Sequence, residues 1–202
     1  MESSFNLDEQ EHKTEAKIVV ALERISSAFR VLLWQESKEN GLSPIQIQIL
    51  IFLLFHKASQ CKVAYLAEEF NVTKPTISDS VKSLLQKNLI TKNEDDQDAR
   101  SYSLALTESG KEIAMQSSHF AQAIEQPIAA LSITQKATLL ASLMDLMVQL
   151  NQRGIITIQR MCFNCQFYQA QADGHYCNFL QKPLMQTELR IDCAEHILKI
   201  NE

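Results

Sequence analysis

The stretch "LAEEFNVTKPTISDSVKSLLQKNLI", residues 66–90, holds a stop, a start and a two-faced helix. The run "KVAYLAEEF" reads as a short helix that "NVT" ends. Thr73 is a good N-cap, because its hydroxyl can accept from an N–H that the first helical turn leaves free. Lys74 and Pro75 fill that first turn, where a proline loses no hydrogen bond. The pattern predicts a helix to about Lys87, with Ile77, Val81, Leu84 and Leu85 on one face. At about 100° per residue, the opposite face carries Pro75, Thr76, Asp79, Lys82, Ser83 and Gln86.

The flanks extend the pattern. "LITKNEDDQDARSYSLALT", residues 89–107, predicts two short strands, Leu89–Lys92 and Ser101–Leu106, joined by a polar loop of hairpin length. Thr107 then caps a long helix to about Ala130. "SITQ" at 132–135 is a capping box. It opens a helix in which Leu139, Leu143, Leu146 and Leu150 form a seam, and Gly154 closes it. Upstream, "SPIQ" at 43–46 is another start: Ser43 as cap, Pro44 in the first turn, Gln46 completing the box, and a helix to about His56. Before Gly41, a helix from about Asp8 to Asn40 places Ile18, Leu22, Ile25, Phe29 and Leu32 in a coiled-coil seam.

The fold class expected is therefore mainly α with a small β-wing: a winged helix–turn–helix between long helices, followed by a cysteine-rich tail. Four segments are expected. Residues 1–40 form an N-terminal dimerisation helix, 41–110 the winged helix–turn–helix, 111–154 the C-terminal dimerisation helices, and 155–202 a metal-binding tail.

A helix of this width fits the major groove of duplex DNA, where outward side chains reach base edges. The hairpin beside it can place a cation, Arg100, in the narrow minor groove, aimed by Asp98. "LSPIQIQILIFLL", "LAEEFNVTKPTISDSVKSLLQKNLI" and "DARSYSLALTESG" resemble the DNA-binding core of the MarR family of bacterial regulators, over roughly residues 15 to 150. The resemblance implies a homodimer whose terminal helices interlock, with recognition helices in successive major grooves of a pseudo-palindromic operator on double-stranded DNA. Its function would be transcription regulation, as a repressor. Carried over by position, Thr73, Lys74, Pro75, Thr76, Ser78, Asp79 and Lys82 begin the recognition helix, and Asp98 and Arg100 match the wing's Asp-x-Arg element. The chain departs from the family in Ala99, where many members have arginine, and in Asp79, at a position that is often basic. An outward aspartate can accept from a cytosine amino group, which favours sequence choice over phosphate contact.

The 202 residues carry a net charge of −5, so overall charge does not announce a nucleic-acid binder. Between Lys62 and Arg100 six basic residues face seven acidic ones, which implies modest non-specific affinity. Four glycines and four prolines suit a helical protein. The acidic start reads as neither a signal nor a transit peptide. "IQIQILIFLLF" is about half the length of a membrane span, so no membrane partner is expected and the location expected is cytoplasmic.

In that reducing compartment, clustered cysteines point to metal more than to disulfides. Cys162, Cys165, Cys177 and Cys193 follow the pattern Cys-x2-Cys-x11-Cys-x15-Cys, with His175 and His196 as alternate ligands. Two thiolates on one tight turn, as in "CFNC", can grip one ion. Three readings stay open: a structural zinc site, an iron–sulfur cluster, or thiols without metal. Because the tail follows the dimerisation helix, a metal or redox event there could tilt the recognition helices; a staple that only stabilises is the alternative.

The remaining features suggest less. His56 and His119 read as packing or surface residues and Cys61 as structural, while Met144 and Met147 fit helical core spacing. Trp34 suits either a core position or a pocket for a small-molecule effector. No Ser-His-Asp or glycine-rich phosphate pattern is present, so an enzyme is not expected. The rival readings are a redox or iron–sulfur protein and a protein-interaction adaptor on a winged-helix scaffold.

Overall fold

Capping chemistry sets where most helices start in the computed structural model, which describes residues 2–95, 98–157, 160–171 and 174–199, without the side chains of 94, 95 and 98–101. The Asn6 side chain accepts from the Asp8 N–H and opens α1, Leu7–His12. Lys13 then turns extended and α2 runs from Thr14 to Asn40, so the single helix expected from Asp8 is two. Gly41 ends α2 with φ +59°, a left-handed conformation that favours glycine. Ser43 and Gln46 close the expected capping box on α3, Pro44–Phe55.

Next come α4, Val63–Glu69, and α5, Lys74–Gln86, started by Thr73 accepting from the Thr76 N–H. The wing is an antiparallel pair, β1 Ile90–Asp95 and β2 Asp98–Leu106, longer than the strands expected. Ile90 lies opposite Leu106, and the register shifts between Glu94 and Asp95.

The long helix expected after Thr107 is also two, α6 Glu108–Ser117 and α7 Gln122–Ala129. Between them the backbone tightens to bonds from Phe120 N to Ser117 O (3.1 Å) and from Gln122 N to His119 O (2.9 Å). Phe120 lies at the break and meets Phe29 of α2 edge-on, ring centroids 6.3 Å apart. Ser132 and Gln135 then open α8, Ile133–Gln152, with both bonds of their capping box formed.

The core lies around α3. Ile47, Ile49 and Leu50 are fully buried there, against Leu66 of α4, Ile77 and Leu84 of α5, Leu104 of β2 and Ala114 of α6. The start of α6 is pressed onto the end of the recognition unit. The Thr107 hydroxyl donates to Asn88 O (2.8 Å) and accepts from Gly110 N (3.1 Å), and a Cβ on Gly110 would collide with the carbonyl of Leu89.

The tail holds a second sheet that the sequence reading did not foresee: β3 Tyr168–Gln171, β4 Gly174–Cys177 and β5 Lys182–Leu184, antiparallel in that order. It packs on α8, where Met144 is fully buried with Cys162, Leu184 and Leu189. Among the described residues no helix is long and apolar enough to cross a membrane.

Candidate nucleic-acid interface and cysteine cavity

The exposed face of α5 follows from its period. Ile77, Ser80, Val81 and Leu84 are buried, so Thr73, Lys74, Pro75, Thr76, Ser78, Asp79 and Lys82 are left facing solvent. Ser80 is turned inward and donates to Thr76 O (2.9 Å). Thr73 and Thr76 share a hydroxyl contact of 2.8 Å, which fixes the first turn. Lys87, past the end of α5, donates to Gly41 O (3.1 Å) and ties the helix to the turn before α3. On the wing, the Lys92 ammonium sits 4.3 Å from the centre of the Tyr102 ring. Asp98 and Arg100 lie on β2, and their side chains fall outside the described residues.

The four tail cysteines come from different local structures, and the fold gathers them. Cys162 and Cys165 bracket a single 3-10 turn, closed by Cys165 N donating to Cys162 O (3.0 Å). Cys177 ends β4, and Cys193 opens a turn in which His196 N donates to its carbonyl (3.1 Å). Segments 160–162 and 190–193 run side by side, with Cys162 N donating to Arg190 O and Cys193 N to Arg160 O, both 3.1 Å. The result is one cavity of about 240 Å³ lined by all four thiols. Burial pushes the Cys162 thiol pKa up; a hydrogen bond from Arg190 N to its sulfur (3.2 Å) pulls it down, and the charges of Cys193, Cys165 and Cys177 push it up again. Among the described residues no three His, Cys, Asp or Glu side chains are grouped so that they could hold a metal ion.

The histidines considered as alternate ligands are engaged elsewhere, and neither lines the cavity. His175 has Nδ1 2.8 Å from the Tyr168 hydroxyl and Nε2 2.9 Å from Gln186 Oε1. His196 Nε2 is 2.9 Å from Asn164 Oδ1, and burial is the main cause that lowers its pKa.

Arg160 was invisible to sequence reasoning, being a lone cation in an unpatterned stretch. It is buried and joins the tail to the helix–turn–helix. Its guanidinium donates to both Glu69 oxygens (2.7 and 3.1 Å), to the Tyr65 hydroxyl (2.7 Å) and, through Nε, to Asp192 (2.6 Å). It also lies 3.4 Å from His56 Nε2 and over the ring of Phe52. Burial works against its charge, but the Glu69, Tyr65 and Asp192 bonds outweigh it and raise the pKa. Thr157 donates to Glu68 O (2.6 Å) and Lys57 pairs with Glu195 (3.0 Å) across the same seam. The tail therefore grips α4 and the end of α3 directly, besides resting on α8.

His56 is a packing residue, stacked on Phe52 at 3.7 Å. Cys61 is buried, its thiol 3.3 Å from Lys57 O, and burial pushes its pKa up to about 11. Trp34 is half exposed in the single chain.

A model of the MarR family matches residues 40–101. The fold matches Staphylococcus aureus MepR in its DNA-binding conformation with a TM-score of 0.58 at 23% identity, covering 66% of this chain and 98% of that one. The MepR–DNA complex matches with a TM-score of 0.56 at 23% identity, over 65% and 96%. MepR is a transcription regulator of the S. aureus multidrug efflux pump MepA. Comparison with curated proteins gives no match. At this identity the structural likeness establishes the fold, a winged helix within a mainly helical chain, and the tail lies beyond the family match.

Proposed function

We propose that this chain, whose winged-helix segment matches the MarR family, is a sequence-specific DNA-binding transcriptional regulator acting as a homodimer in the cytoplasm, and not an enzyme. One observation carries the reading: α5 buries a complete apolar face and offers solvent a continuous polar one, Thr73–Thr76, Ser78, Asp79 and Lys82. That arrangement suits base edges in a major groove, with Lys74 and Lys82 as the cations near phosphate and Asp79 as an acceptor for cytosine. Asp98 and Arg100 would serve the wing in the minor groove. A dimer covering successive grooves excludes other proteins from that DNA, which is repression wherever its site overlaps a promoter.

The homodimer is supported by α2. This helix of 27 residues buries only Ala16, Leu33 and Ser37, and leaves Ile18 53% and Ile25 48% exposed. Leu139 and Leu146 of α8 are exposed as well. Apolar seams of this kind are satisfied by a second copy. The tail is proposed to modulate DNA binding through Arg160, since a change at Cys193 lies one residue from Asp192, whose carboxylate shares that guanidinium with Glu69 of α4.

The test is selection from a random duplex pool. An enriched sequence with two half-sites about one helical turn apart is expected. Binding should weaken steeply with salt, and Lys82→Ala should reduce the slope of log K against log salt by about 1 per protomer. Retention of duplex with no enrichment of any sequence would overturn the reading.

A further inference from the structure

We propose that Cys162, Cys165, Cys177 and Cys193 are the ligands of an iron–sulfur cluster seated in the cavity they line. The inference concerns the occupant of the tail and stands whether or not α5 binds DNA.

The donor set comes first. Four thiols on one cavity, with both nearby histidines engaged elsewhere, select a soft metal centre over an organic ligand or a hard cation. Spacing separates the soft centres. A single zinc ion needs four donors about 2.3 Å from one point, which draws the sulfurs into mutual contact. Among the described residues no three potential ligands are grouped so that they could hold one such ion. The four thiols instead share the wall of a cavity of about 240 Å³, whereas a water-sized occupant needs only on the order of 10–15 Å³. Iron–sulfur clusters spread their ligands over several irons and fill the space between them with sulfide.

The surroundings agree. Phe167, Phe179 and Leu184 supply apolar wall, which shields a cluster from water. Two donors already point at sulfur: Arg190 N to Cys162 (3.2 Å) and Arg190 Nη1 to Cys193 (3.5 Å). Bonds of that kind stabilise thiolate and tune a cluster's potential. The bound thiolates bring negative charge, and Arg190 on the wall offsets part of it. The two wall carboxylates are tied off, Glu188 by Lys182 (2.8 Å) and Glu195 by Lys57 (3.0 Å). On loading, each thiol releases its proton to solvent as its sulfur bonds to iron.

An occupant would also add to the tail's own small core. The buried side chains there are few, and a segment with so small a core usually depends on a staple.

The experiment uses the full chain purified without oxygen, then incubated with ferric iron and sulfide under a thiol reductant, which supplies the electrons for any iron that ends ferrous in the cluster. Expected are a brown protein and, after desalting, iron and acid-labile sulfide in equal amounts, about two to four of each per chain. Cys177→Ser and Cys193→Ser should lose the colour and at least half the iron, while Cys61→Ala loads like the parent. Circular dichroism of the variants should keep the helical signal, since the helices lie outside the cavity. A colourless parent chain holding about one zinc and no sulfide would overturn the inference, as would equal loading of the parent and both serine variants. Neither readout involves DNA, so a failure here is distinct from a failure of the regulator reading.

Discussion

Cys61 and Cys162 are both buried thiols, and their neighbours give them different chemistry. Cys61 sits in the main core with backbone carbonyls around its sulfur, and burial alone holds its pKa at about 11 against an ordinary 9.0. Unfolding would let it ionise first. Its contribution to stability is therefore complete below pH 9 and is lost as pH rises through about 11. That loss should amount to about 2–3 kcal/mol, from a shift of about two units at 1.36 kcal/mol each. Urea titrations between pH 8 and 11 should show it in the parent and not in Cys61→Ala. A decline of the same size in both would assign it to other groups.

Arg160 offers a second residue-scale test, because its carboxylate partner Glu69 is largely buried. Arg160→Ala strands that charge and should cost about 3 kcal/mol, whereas Arg160→Met with Glu69→Leu should recover most of it. Limited proteolysis of the tail, together with denaturant midpoints, separates the two. Equal loss in the single and double variants would mean that the cost comes not from the stranded Glu69 charge but from the guanidinium's bonds to Tyr65 and Asp192.

Elements differ in how much of themselves they write into sequence. Ser43–Gln46, Thr73 and Ser132–Gln135 are local signals, and each starts its helix where the sequence places it. The alternation of α5 was legible for the same reason, since a single helix carries the whole period. Helix interruptions were not. The break before α7 shows no glycine or proline of its own; it sits where Phe120 joins the core and meets Phe29, a residue remote in sequence. The tail strands are only three or four residues long, hold few β-branched or aliphatic residues, and one contains Pro183. Their pairing rests on tertiary placement and gave no periodic signal. The cysteines were legible as a set but not as a cavity, because the approach of segment 160–162 to 190–193 is not encoded in spacing. At this scale Thr73→Ala should lower stability by about 1 kcal/mol by removing one cap bond. Its effect on DNA affinity should exceed that of a cap substitution at Ser132, which leaves the recognition turn untouched. Equal effects in a duplex-binding titration would count against α5 as the reading helix.

For the whole molecule, the decisive question is what covers α2. Alone, the chain leaves Ile18 and Ile25 in water on a helix that buries three residues in 27, a poor arrangement for a monomer and a natural one for half of a dimer. Ile18→Glu with Ile25→Glu places like charges on both sides of any two-fold contact at that seam. Sedimentation should then report a monomer that keeps its helical signal, since neither side chain is part of the core. Affinity for a two-half-site duplex should fall by about 100-fold or more, because linking two binding units supplies that factor without new contacts. Affinity for a single half-site should barely move. A double variant that stays dimeric would place the interface elsewhere. The tail, which bridges α8 to α4 within one chain, would then have to transmit its state without passing through a shared helical seam.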